Sequence, residues 1–218
     1  MVQDGCLLSR RKVTWSQALR CGRCLVHRES GLGELPMTVG EFKTDLATLD
    51  SAQMVDKWLL TGSCAVISDS TTHAIADAIS TNFGVEYTSI VVVGSARLGF
   101  SIKPRRRYEA FGEDSDVDVA IVSTALFERV WREVYEYDRS GAYWPEKGNF
   151  RKYLSRGWIR PDLLPSEETF EFAQGWWPFF NSLEIPGCPY KIAAGIYHSH
   201  FFLRAYQRTA VEQCKTEL

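Results

Sequence analysis

From residue 37 onward the apolar positions alternate between helical and strand-like periods. Phe42, Leu46 and Leu49 recur at helical spacing, and Ser51 stands where it can cap a second short helix running through Trp58-Leu59-Leu60. Residues 71–83 put Ile75, Ala78 and Ile79 on one face, and Gly84 follows as a C-cap. Residues 89–93 are a short run rich in β-branched side chains and predict a buried strand. A helix is expected to begin near Arg97 and to end before Pro104. Residues 117–122 predict a second strand. Ser123 or Thr124 then caps a helix with Leu126, Phe127, Val130, Trp131 and Val134 on a broad apolar face.

The C-terminal third is less regular. Residues 138–165 are rich in Gly, Pro, Trp and Tyr and give no clear period. Residues 167–180 predict a helix interrupted at Trp177-Pro178. A turn over 185–189 leads into a third strand over 190–197, and residues 201–214 close the chain as a helix. Helices and strands in alternation predict one α/β domain over residues 37–218. Residues 1–36 carry Arg10, Arg11, Lys12, Arg20, Arg23 and Arg28 against few acids and show weak periodicity. They are expected to be an extension outside that domain, disordered or extraneous to it.

Composition narrows the class. Apolar residues make up 45% and charged residues 24%, the balance of a soluble globular chain. A net charge of −2 argues against non-specific nucleic-acid binding by the protein as a whole. No apolar run reaches the roughly 18 residues that span a bilayer, so no membrane partner is expected. The six cysteines are scattered in unlike contexts, which favours free thiols in a reducing compartment, hence a cytoplasmic protein. Cys21, Cys24 and His27 have partial zinc-ligand spacing but no second pair, so zinc is not expected.

The chemistry lies in one stretch. The run Ile90-Val91-Val92-Val93 feeds Gly94-Ser95, and after 20 intervening residues Asp116 and Asp118 flank Val117 inside an apolar run. Side chains alternate along a strand, so Asp116 and Asp118 are expected on one face with Val117 and Val119 turned to the core. Two carboxylates so placed repel each other and lose hydration. A cation neutralises them, and Mg²⁺ is usually held by one or two carboxylates together with substrate phosphates.

Gly94-Ser95 after a strand, with Ser115-Asp-Val-Asp118 on the next, resembles the nucleotidyltransferase superfamily typified by DNA polymerase β. Gly94-Ser-Ala-Arg-Leu-Gly99 is similar especially to the small prokaryotic stand-alone members, the minimal nucleotidyltransferases. The resemblance covers residues 90–128. It implies a small mixed central sheet flanked by helices, and transfer of a nucleoside monophosphate from a nucleoside triphosphate to an acceptor. The acceptor could be a protein, an RNA or a small molecule. It implies Asp116 and Asp118 as catalytic residues and ligands of Mg²⁺ or Mn²⁺. Gly94, Ser95 and Arg97 would bind the nucleotide. Two features depart from the family. The interval between Ser95 and Asp116 is longer than in minimal members and holds the basic run Lys103, Arg105, Arg106 and Arg107. That run could be a solvated loop or could reach over the cleft. The strand over 190–197 carries no third carboxylate, and Asp162 and Glu184 are the nearest acids. A catalytically impaired nucleotide-binding protein on the same fold, such as an antitoxin-like partner, is the alternative function.

Overall fold

The computed structural model describes residues 38–166 and 170–216. The expectations for residues 1–36, including Cys6, Cys21 and Cys24, lie outside the described residues. Pro36–Leu218 form one compact unit.

Helix α1 (Val39–Thr48) opens with a reciprocal cap. The Glu41 N–H donates to Thr38 Oγ1 at 3.2 Å, and the Thr38 N–H donates to Glu41 Oε2 at 2.8 Å. Asp50 and Gln53 cap α2 (Ser51–Met54) in the same way. That helix widens into a π-helical stretch, Val55–Leu60, which turns Val55, Trp58 and Leu59 into the interior. Helix α3 (Asp69–Phe83) is capped by Ser68 and stopped by Gly84. Strand β1 (Ile90–Val93) runs straight into the short helix α4 (Gly94–Leu98). Strand β2 (Val117–Val122) leads through the Ser123 cap into α5 (Thr124–Arg139). Helix α6 (Lys147–Leu154), strand β3 (Trp158–Ile159), helix α7 (Glu171–Ser182), strand β4 (Ile192–Tyr197) and helix α8 (His200–Lys215) complete the order.

The strands form one mixed sheet in the order β1-β2-β4-β3. Strand β2 pairs antiparallel with β1 and parallel with β4, and β3 is antiparallel to β4. The architecture is therefore mixed α and β, with helices around a four-stranded sheet. Alternation along β2 divides its side chains between two faces. Val117, Val119 and Ile121 join the main core, which α3, α5 and α7 also supply. Ala120 and Val122 face the other way, against Val93, Tyr197 and Leu203 of α8. Asp118 shares that second face by parity.

Asp50 rather than Ser51 caps α2, and four further details differ from the sequence expectations. Helix α4 starts at Gly94 rather than near Arg97, because the positive φ at Gly94 lets the chain turn directly out of β1. Helix α7 continues past Pro178 to Ser182. Buried Phe172, Ala173, Trp176 and Phe180 lie on both sides of the proline, and their packing outweighs a cost of about 3 kcal/mol. The fourth strand, β3, is two residues long and too short to carry a period. Trp131, expected on the apolar face of α5, is 47% exposed. Among the described residues, no helix is long and apolar enough to cross a membrane. Cys64, Cys188 and Cys214 are free thiols.

Candidate active site

Strand directions bring four chain segments to one end of the sheet. The C-terminal end of β1 and the N-terminal ends of β2 and β4 meet there, with Val93 opposite Asp118 and Asp118 opposite Ala193. Strand β3 runs antiparallel to β4, so the chain leaving it at Arg160 passes the same end. A cleft of about 330 Å³ opens there, and Asp116, Asp118, Arg160, Asp162, Lys191 and Trp177 are among the residues lining it.

Asp116 immediately precedes β2 and is exposed, while Asp118 is half-buried within the strand. Burial pushes the Asp118 carboxyl above the usual aspartate range; the positive charge of Lys103 draws it down, and the charge of Asp116 pushes it up further. Gly94 is pressed against this carboxylate. Its φ is +71°, and a Cβ there would stand 2.9 Å from Asp118 Oδ2. Only glycine allows the turn after β1 to pass so close to the acid. Ser95 follows, half-buried, as the second residue of α4.

Arg97 is placed differently from Gly94 and Ser95. It is 6% exposed, and its guanidinium donates through Nη2 to the Gly62 carbonyl. The neighbouring backbone reinforces that contact. The Ala65 N–H donates to Arg97 O at 3.0 Å, and Cys64 Sγ donates to Ala96 O at 2.9 Å. Burial pulls the Arg97 guanidinium below its ordinary value. Arg97 thus ties the 62–65 loop to α4; like Gly94 and Ser95 it is not among the residues that line the cleft, which on this side are Val93 and Asp118.

The β3 side of the cleft has its own electrostatics. Arg160 donates from Nε to Asp162 Oδ1 at 3.1 Å and from Nη2 to Oδ2 at 2.6 Å. Its guanidinium lies 4.9 Å from the Tyr153 ring centroid and 5.6 Å from that of Trp158. Trp158 in turn stacks on Tyr197, with centroids 5.5 Å apart and planes within 4° of parallel. Burial raises the Tyr197 hydroxyl well above its usual range, with Tyr206 and Asp118 adding to the effect and Arg160 opposing it. Asp118 and Arg160 therefore both act electrostatically on Tyr197.

Sequence patterns single out Gly94, Ser95, Asp116 and Asp118. Arg160, Lys191 and Trp177 carry no such signal, because they reach the cleft from an unpatterned segment, a strand start and a proline-containing helix. Asp162, one of the two nearest acids by sequence, lines the cleft, whereas Glu184 does not. Among the described residues, no group of three or more His, Cys, Asp or Glu side chains is placed to hold a metal ion. Two carboxylates still suit a cation that arrives with its substrate, since Mg²⁺ keeps waters and takes phosphate oxygens as ligands. No family model, curated protein or solved structure matches this chain.

Proposed function

We propose that the chain is a metal-dependent nucleotidyltransferase on a polymerase β-like core, acting in a reducing compartment such as the cytoplasm. One observation carries the reading: Gly94 fits against Asp118 so tightly that a methyl group would stand 2.9 Å from its carboxylate oxygen. A phosphate-binding turn and a metal-binding acid would have to be adjacent for this reaction, and two segments far apart in sequence are adjacent here. The triphosphate lies over Gly94 and Ser95, where the Ser95 hydroxyl and nearby backbone N–H groups donate to its oxygens. Asp116 and Asp118 would hold Mg²⁺ or Mn²⁺, which when bound would offset their mutual repulsion and the charge of the phosphates. Lys103 contributes positive charge near Asp118. Arg97 acts on the nucleotide only through the position of α4, since its guanidinium is turned to Gly62.

The backbone opposite Asp118 on β4 belongs to Ala193. This favours a second reading, a chain that binds the nucleotide without transferring it. Pyrophosphate release from each nucleoside triphosphate, with Mg²⁺ and candidate acceptors, separates the two. Wild type should release pyrophosphate, and Asp116→Asn and Asp118→Asn should each lose at least about 100-fold, more than the loss of an outer-shell partner costs. Mg²⁺-dependent nucleotide binding without release supports the second reading. Failure of all four triphosphates to bind overturns both.

A further inference from the structure

We propose that the β3 side of the cleft is an anion subsite, centred on Arg160 and supplemented by Lys191, that binds the phosphate monoester of a small acceptor. This rests on the nucleotidyltransferase reading above. Arg160 is a pre-positioned cation. Asp162 grips two of its N–H groups, and the faces of Tyr153 and Trp158 lie alongside it. A guanidinium has five N–H donors, so the fork to Asp162 leaves others for a ligand. The side chain remains 32% exposed and lines the cleft together with exposed Lys191.

Sheet order separates this cation from the triphosphate. Gly94 and Ser95 follow β1 and Arg160 follows β3, at opposite edges of the order β1-β2-β4-β3. Three strand spacings put those edges roughly 14 Å apart. The acids of β2 lie between them. A nucleotide seated on the β1 side leaves Arg160 and Lys191 to a second substrate. A cleft of about 330 Å³ suits a small molecule.

The chemistry agrees. A hydroxyl acceptor must lose a proton, yet β4 presents Ala193 beside Asp118, and Asp162 is held by Arg160. A phosphate monoester has a second pKa of about 6 and is already a dianion at neutral pH. One of its oxygens attacks the α-phosphorus, forming a P–O–P bond. The bond from the α-phosphorus to the α–β bridging oxygen breaks, and the electron pair leaves with pyrophosphate. No proton has to be removed from the nucleophile.

The test uses the full chain with Mg²⁺ and the α,β-methylene analogue of whichever triphosphate binds, with methyl phosphate as the probe. Binding of each is measured separately. Methyl phosphate should bind at millimolar concentration. Arg160→Gln and Lys191→Gln should each weaken it about tenfold, the loss of a charge-assisted hydrogen bond. Affinity for the triphosphate analogue should stay within about twofold. Lys191→Gln carries the test if Arg160→Gln fails to fold, because Lys191 is exposed. No methyl phosphate binding, or binding that both folded variants retain, overturns the subsite while leaving the triphosphate reading intact. Loss of triphosphate and probe together in Lys191→Gln also overturns it, since that residue would then serve the nucleotide. Absence of analogue binding in wild type is the separate failure of the underlying reading. In a second arm, glycerol 3-phosphate and a hydrolysable triphosphate are supplied to wild type. A pyrophosphate-linked product supports the subsite, and transfer to a glycerol hydroxyl overturns it.

Discussion

A methyl group at position 94 would meet Asp118 Oδ2 at 2.9 Å, on a backbone whose φ is +71°. Gly94→Ala therefore combines backbone strain of about 1–2 kcal/mol with displacement of the carboxylate. Gly84→Ala is the matched control, since its φ is +63° and nothing stands within 4 Å of the new Cβ. Gly94→Ala should lose at least as much thermal stability as Gly84→Ala, and only Gly94→Ala should lose Mg²⁺-dependent nucleotide binding. Equal binding by the two would show that the contact with Asp118 has no functional weight. Asp118 itself yields a pH prediction. Its carboxyl is raised in the folded protein, chiefly by burial. In acid below the ordinary aspartate range, both folded and unfolded chains hold the proton and there is no penalty. As pH rises through that range the unfolded chain ionises first, so folding stability falls until the native carboxyl ionises as well. Above that the penalty is constant. In metal-free buffer, Asp118→Asn should match wild type in acid and melt higher at neutral pH, with the difference growing between. A variant melting below wild type at neutral pH would show that the carboxylate makes a net stabilising contact.

The loop between α4 and β2 shows how an element divides the roles of similar charges. Sequence alone leaves two readings for Lys103, Arg105, Arg106 and Arg107: solvated excursion or cover over the cleft. The structure separates three of them. Arg106 pairs with Glu109 at 2.8 Å, and Arg107 donates to Gln213 O at 3.3 Å, tying the loop to α8. Lys103 is the one whose charge acts on Asp118. Lys103→Ala should weaken triphosphate binding about two- to fivefold, as expected of an exposed ion pair, and the loss should shrink with added salt. Arg106→Ala should leave affinity and its salt dependence unchanged. Equal effects from both would mean that the loop acts through its summed charge. The same scale explains what was legible in the sequence. Strands β1, β2 and β4 and helices α3, α5 and α8 have periods long enough to read. The i, i+2 spacing of Asp116 and Asp118 and the glycine after β1 mark their half of the site. Arg160 and Lys191 were not legible as site residues, because Arg160 reaches the cleft through the pairing of a two-residue strand with β4 and Lys191 through the pairing of β4 with β2. Cross-strand partners are long-range and leave no local period. Pro178 misled for the opposite reason: a strong local signal was outweighed by aromatic packing around it.

At the scale of the whole molecule, the site depends on a core that does not touch it. Phe42, Leu46, Met54, Trp58 and Leu59 from α1, α2 and the π-helical stretch pack with Leu98, Phe100 and Ile102 after the Gly94-Ser95 turn, and with Val211 and Cys214 of α8. The start and end of the folded unit thus close around the segment that follows Gly94-Ser95. Lys215 donates to Leu49 O, and Arg204 pairs with Asp56 at 2.6 Å, adding polar links between the same helices. Phe42 is central to this cluster. It is fully buried, and its ring meets those of Trp58, Phe100 and Tyr108 edge-on at 5.1, 5.3 and 6.4 Å. Phe42→Ala should cost about 3–5 kcal/mol, a large part of the roughly 5–15 kcal/mol that holds a domain folded. Leu98 closes α4, and Gly94-Ser95 opens it, so the loosened cluster should also weaken triphosphate binding well below the melting temperature. Hydrogen exchange distinguishes how far the damage spreads. If the unit is cooperative, amides in α1 and in β2 should lose protection by the same free energy in Phe42→Ala. Loss confined to α1 and α2, with β2 protected as in wild type and nucleotide affinity unchanged, would show that this cluster folds independently of the sheet and does not support the site.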